Sequence, residues 1–260
     1  MTYDFDVIMM NIIKKISFLI LVTFSLNLWA EANPELWPFV KEKMFQDRPI
    51  IEAGFVKLSG PKRASSGAQV PVKLELSAPD GVTIKHVFLI IDANPTQHAA
   101  TYFLSEKMQE VDISTRIRME TDSFVRAVAE DDKGNLYMSF QEIRASGGCS
   151  GYMDVHDPEL TADLGKILIK AKDDFLVTRI KHPNFTGLQR DLDSGGYIPE
   201  WIVKDMIYMN DNEVILAVHN KISISQDPYL KVRLPKGVIG DVVLNAIDTK
   251  GNQFSKDIKI

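Results

Sequence analysis

The sequence contains a single cysteine, Cys149, among its 260 residues. One cysteine excludes an intramolecular disulfide and a cysteine-rich metal site. The net charge is -5 and the lysines and arginines form no long block, which argues against a nucleic-acid partner. The sequence also lacks a Ser/His/Asp signature, a glycine-rich phosphate loop and an HExxH motif. We therefore predict no catalytic residue, no metal site and no cofactor.

The composition and the spacing of apolar residues favour an all-β protein. Hydrophobic residues make up 45% of the chain and charged residues 25%, as in ordinary soluble proteins. Short apolar or alternating runs recur at a spacing of about ten residues, separated by turn-forming residues. We predict two immunoglobulin-like β-sandwich domains in tandem, at 33–144 and 163–260, joined by a linker at 145–162. A short helix is predicted at the start of the first domain, before Arg48-Pro49.

The first 32 residues have the features of a secretory signal peptide. Lys14 and Lys15 provide a positive n-region, Ile16–Leu28 is apolar, and Ala30-Glu31-Ala32 fits a cleavage site. Met10 is predicted as the start, because residues 1–9 contain two aspartates. The apolar run is too short for a good membrane span. We therefore expect an exported chain with no membrane anchor after cleavage.

Cys149 lies in a segment without periodicity or large apolar residues. We predict that Gly147, Gly148, Ser150 and Gly151 form a flexible arm and that the thiol is exposed, because glycine leaves the backbone free and offers no side chain to pack. A nucleophile needs an activating base, and no histidine has local spacing to Cys149. The segment is thus predicted to present an attachment point, with a reach of at most about 15–20 Å.

Several segments resemble carriers of the bacterial sulfur-oxidation (Sox) system. The sequence GGCSG at 147–151, with segments 94–104 and 115–128, resembles SoxY, a family that ends in GGCGG. Segment 182–191, Ile198-Pro199 and segment 223–228 resemble SoxZ. Here Ser150 replaces a glycine, and the cysteine is not at a chain end. The resemblance is to fused SoxYZ-like carriers associated with periplasmic quinoprotein (PQQ-dependent) dehydrogenases.

The resemblance implies a function for Cys149. It implies a periplasmic, non-enzymatic carrier that covalently holds a sulfur-containing, thiosulfate-like intermediate on Cys149. The partners implied are periplasmic redox enzymes, of the Sox type or of a quinoprotein dehydrogenase system, and the SoxY-like and SoxZ-like halves would pair within one chain. Two alternatives stay open: a non-covalent binding or assembly module for a quinoprotein dehydrogenase, and dimerisation through an intermolecular disulfide.

Overall fold

The computed structural model describes residues 32–108 and 110–260, so the predicted signal peptide falls outside the described residues except for Ala32. Within the described residues the chain forms seventeen strands and two short helices, which confirms the all-β prediction. The helices are α1 (Leu36–Phe45) and α2 (Pro158–Thr161), and the strands are β1 (Ile50–Glu52), β2 (Val56–Ser59), β3 (Val70–Ser77), β4 (Ile84–Ile91), β5 (His98–Leu104), β6 (Glu110–Ile117), β7 (Ser123–Asp131), β8 (Leu136–Ile143), β9 (Gly151–Met153), β10 (Ile167–Lys172), β11 (Phe175–Ile180), β12 (Gln189–Asp191), β13 (Val203–Asn210), β14 (Glu213–Asn220), β15 (Tyr229–Arg233), β16 (Asp241–Asp248) and β17 (Gln253–Lys259). None of the helices described here is long and apolar enough to cross a membrane.

The strands build two large sheets and one small sheet. The first large sheet has the order β1-β8-β7-β4-β5-β14-β13-β16-β17, and the second has the order β10-β11-β15-β6-β3-β2. Side chains of both sheets belong to one hydrophobic core, as in a β-sandwich. Each half of the chain contributes strands to both large sheets.

The two halves are joined edge to edge by strand pairing. In the first sheet β5 pairs with β14, with Tyr102 opposite Val218. In the second sheet β6 pairs with β15, with Ile113 opposite Val232. All four side chains are buried in the shared core. The halves are therefore one continuous sandwich, whose sheet edges at the junction are paired rather than exposed.

The burial of the strands follows their sequence patterns. In β3 the buried residues alternate with exposed or half-buried ones, as expected for a strand with one face on a core. Strand β4 is almost wholly apolar, and its last residues are buried on both faces. The face of β4 that points away from the second sheet is covered by α1, since Val40 and Phe45 pack with Ile90 of β4. The predicted N-terminal helix is therefore present.

The linker after Cys149, for which the sequence predicts no helix or strand, contains a short strand and a short helix. Strand β9 begins at Gly151 and pairs in parallel with β12, placing Tyr152 beside Arg190. Helix α2 follows after residues 154–157, and its N-cap Asp157 accepts the Glu159 N–H. Part of the linker thus forms regular structure, and β9 ties the chain to the second half two residues after the cysteine.

Candidate functional site

Cys149 is buried, with only 1% of its surface exposed. The sequence-based expectation of an exposed thiol is therefore wrong for this arrangement, which we call the closed form. The side chains that cover the thiol come from distant parts of the chain. The side-chain amide of Asn94, which follows β4, donates to the Cys149 Sγ at 3.6 Å.

Glu120 fixes the carrier segment, defined as residues 145–150, from one side. Its Oε2 accepts the backbone N–H groups of Cys149 at 2.8 Å and Ser150 at 3.1 Å. The Ser150 hydroxyl donates to Oε1 of the same carboxylate. The Glu120 carbonyl also accepts the Gly147 N–H at 2.9 Å. Glu120 thus accepts three of the six backbone N–H groups of the carrier segment and the Ser150 hydroxyl.

The two glycines before Cys149 serve different geometric needs. A Cβ at Gly148 would lie 2.0 Å from the carbonyl oxygen of Gly67, so the two backbones approach as only glycine allows. Gly147 has a φ of 67°, and a Cβ added there would meet no atom within 4 Å. The predicted flexible arm is therefore, in the closed form, a packed segment with Gly148 at its tightest contact. Gly151, the last residue of the predicted arm, is the first residue of β9.

The second half of the chain supplies the other side of the site. The Thr186 hydroxyl donates to the Cys149 carbonyl at 2.6 Å. Arg118, directly after β6, donates to the carbonyls of Gly148 at 3.1 Å and Asn184 at 3.3 Å. Asn184 and Thr186 lie between β11 and β12. Cys149 is therefore enclosed where the two halves of the chain meet.

The electrostatic environment keeps the thiol protonated in the closed form. The pKa of the Cys149 thiol is raised to about 12, mainly by burial and to a smaller extent by the Glu120 carboxylate, while Arg118 opposes the shift. Burial also lowers the pKa of Arg118, and the nearby Cys149 opposes that shift. Because the thiolate is the nucleophile, the closed thiol is unreactive at neutral pH.

Sequence reasoning missed the residues that enclose the cysteine. They are Asn94, Arg118, Glu120, Asn184 and Thr186. All five lie in the segments that carry the Sox resemblance, at 94–104, 115–128 and 182–191. The resemblance therefore pointed to the right segments but assigned no role to these residues. In the described part of the chain, no group of three or more His, Cys, Asp or Glu side chains could hold a metal ion.

Two family profiles and several solved structures match the chain. Residues 41–149 match "Sulfur oxidation protein SoxY" and residues 170–259 match "Sulphur oxidation protein SoxZ". The sulfur carrier protein SoxY from Chlorobium limicola f thiosulfatophilum is 23% identical, with a TM-score of 0.37, over 43% of this chain and 92% of that chain. A superoxide reductase (neelaredoxin) from Ignicoccus hospitalis is 14% identical, with a TM-score of 0.31, over 36% of this chain and 82% of that chain. No curated protein matches in sequence. The SoxY and SoxZ profiles together cover most of the sequence in order, so the chain is a SoxYZ-like fusion of a SoxY region with a SoxZ region.

Proposed function

We propose that the chain is a periplasmic carrier that covalently holds a sulfur-containing, thiosulfate-like intermediate on Cys149 and presents it to partner enzymes. The main support is the position of the thiol. Cys149 is the only cysteine of the sequence and the last residue of the SoxY match. It also lies on a short segment held by residues of both halves. A structural cysteine would not need a segment that is fixed by so many polar contacts and flanked by glycines.

The buried position of Cys149 requires the carrier to alternate between two forms. In the closed form the thiol is 1% exposed and has a raised pKa, so both the thiol and its cargo would be protected. In an open form the carrier segment leaves Glu120, Arg118 and Thr186, and the thiol regains the ordinary acidity of a cysteine. Loading and transfer belong to the open form.

The chemistry of loading assigns the redox step to a partner. Joining thiosulfate to the Cys149 thiol forms one S–S bond and releases one proton and two electrons. A partner redox enzyme, of the Sox type or of the quinoprotein dehydrogenase type, would accept the two electrons. The carrier itself contributes the thiol, its protection and its controlled exposure, so we propose no catalytic role for it.

The experiment that tests carriage is intact-mass spectrometry of protein purified from its native host without reductant. We expect a sulfur-containing adduct that fragmentation places on Cys149 and that the Cys149→Ser variant lacks. A free thiol in all preparations would contradict carriage and support the non-covalent assembly module. A mass twice that of one chain would instead support the disulfide dimer.

The periplasmic location is proposed from the signal-peptide features of residues 1–32. Cell fractionation should place the protein in the periplasm, and N-terminal sequencing of the mature chain should begin at Asn33. A cytoplasmic protein that retains Met10 would contradict this part of the proposal.

A further inference from the structure

Two arginines are deeply buried, and they differ in their partners. Arg126 is 4% exposed and pairs with Asp92, to which its Nε donates at 2.8 and 2.9 Å. Arg118 is also 4% exposed, but no carboxylate lies within 4.0 Å of it in the described part of the chain. Its Nη1 and Nη2 donate to carbonyl oxygens, and its Nε has no hydrogen-bond partner among the residues described.

A buried guanidinium without a carboxylate has a charge and a hydrogen-bond donor that an anion could pair with. Arginine stays protonated in proteins and has five N–H donors, of which Arg118 uses two on carbonyls. Burying a charge is costly unless an opposite charge or strong hydrogen bonds compensate it. The free Nε and a neighbouring Nη form the edge of the guanidinium that suits bidentate binding of oxyanions.

Arg118 is one of the residues that surround Cys149. Arg118 binds the carbonyl of Gly148, the residue before the cysteine, at 3.1 Å. The amide of Asn94 donates both to the Arg118 carbonyl at 2.8 Å and to the Cys149 Sγ at 3.6 Å. Two carboxylates also bind the carrier segment, Glu120 at Cys149 and Asp122 at Ala145, and both would repel an anion on the cysteine. Arg118, which binds the residue before the cysteine, is a cation that can offset one negative charge there.

We propose that Arg118 is the anion-binding residue of the carrier site and pairs with a negatively charged sulfur group, such as a terminal sulfonate, attached to Cys149. This inference rests on the proposed function and specifies the charge of the cargo. It predicts that a cysteine adduct with one negative charge is held in the closed form better than a neutral adduct of similar size.

Two reagents load Cys149 with adducts that differ in charge. The Cys149 thiolate attacks a central sulfur of tetrathionate, a new S–S bond forms, the old one breaks, and thiosulfate leaves with the electron pair. The product is a cysteine S-thiosulfonate with one negative charge. Methyl methanethiosulfonate gives a neutral methyl disulfide, and methanesulfinate leaves. Both reactions are run on the folded protein at mildly alkaline pH and followed by intact mass.

The test measures how strongly the fold protects each adduct. Protection is the rate of release by dithiothreitol in urea divided by the rate in native buffer. We expect Arg118→Met to lower the protection of the thiosulfonate about tenfold relative to the methyl adduct, because charge-assisted hydrogen bonds are lost. The matched control is Arg190→Met. Arg190 is exposed and stacks on the Tyr197 ring at 4.5 Å, so its loss should change neither adduct.

Three outcomes would overturn the inference. Equal loss of protection for both adducts would show that Arg118 only positions the carrier segment. Loading by the neutral reagent but not by tetrathionate would show that the site rejects anions. If Arg118→Met fails to fold, the melting temperatures of the two wild-type adducts are compared instead. A thiosulfonate adduct that melts at a lower temperature than the methyl adduct contradicts the inference. Absence of a native adduct on Cys149 would refute the proposed function while leaving these results in place.

Discussion

Replacing Gly148 with alanine is expected to expose the Cys149 thiol while the two large sheets stay folded. The new Cβ would lie 2.0 Å from the carbonyl oxygen of Gly67 and 2.7 Å from that of Met119. Both are backbone atoms, so no change of side-chain rotamer relieves the overlap. The carrier segment must leave its place, and with it the contacts that bury the thiol.

The size of the effect follows from the acidity of the thiol. Opening should return the pKa of Cys149 from about 12 towards its ordinary value of 9.0. Three pKa units correspond to about a thousandfold more thiolate at neutral pH. The wild-type protein also opens briefly, so the alkylation rates of the variant and the wild type differ by less than their thiolate fractions in the two static forms. We therefore expect Gly148→Ala to accelerate alkylation by iodoacetamide by at least about tenfold and at most about a thousandfold. Intact mass over time measures the rate.

The neighbouring glycine provides the matched control. Alanine at Gly147 meets no atom within 4 Å, and its cost is the left-handed backbone at a φ of 67°, about 1–2 kcal/mol. Gly147→Ala should therefore accelerate alkylation much less than Gly148→Ala. Equal rates for the two variants, or a wild-type rate for Gly148→Ala, would refute the argument that close packing of Gly148 keeps the thiol closed.

Three further changes test the site and the fold. Glu120→Gln should raise the alkylation rate of Cys149 about tenfold, because the hydrogen bonds to the segment lose their charge; an unchanged rate would contradict this. Arg126→Met should lower the free energy of unfolding, measured in urea, by about 3–5 kcal/mol, since Asp92 is left buried and unpaired; a loss below about 1 kcal/mol would count against it. Burial, with a smaller contribution from a nearby lysine, lowers the pKa of His98 from 6.5 to about 4. As the pH falls, the unfolded chain therefore takes up the His98 proton before the folded chain does. The free energy of unfolding that depends on His98 is fully present above pH 6.5 and is lost as the pH drops towards 4. His98→Gln should reduce this loss, measured as urea midpoints across the same pH range.

The strands were predictable because their signals are local. The apolar run Ile84–Ile91 and the run Leu136–Ile143 are each bounded by turn-forming residues, and both appear as strands with those ends. Strand β9 escaped prediction, because its three residues have no alternating pattern and its partner β12 lies far along the chain. Pairing of this kind depends on the tertiary fold and leaves little trace in a short sequence.

The burial of Cys149 was not predictable from its surroundings in sequence. Its neighbours are small, and the groups that enclose it are remote: Asn94 is 55 residues away and Thr186 is 37 residues away. The same glycines that suggest mobility also allow the close approach of Gly148 to Gly67. Composition cannot separate these two uses of glycine, whereas the backbone geometry does.

The short distance between the two anchors of the carrier segment limits the depth of any active site that the carrier can serve. Arg144 is bridged to Arg63 on one side, and β9 begins at Gly151 on the other, which leaves the six residues 145–150 between them. A stretch fixed at both ends extends outwards by at most half its contour length, here about 10 Å. A partner must therefore bring its reacting group close to the surface of the carrier, in a wide and shallow cleft rather than at the end of a tunnel.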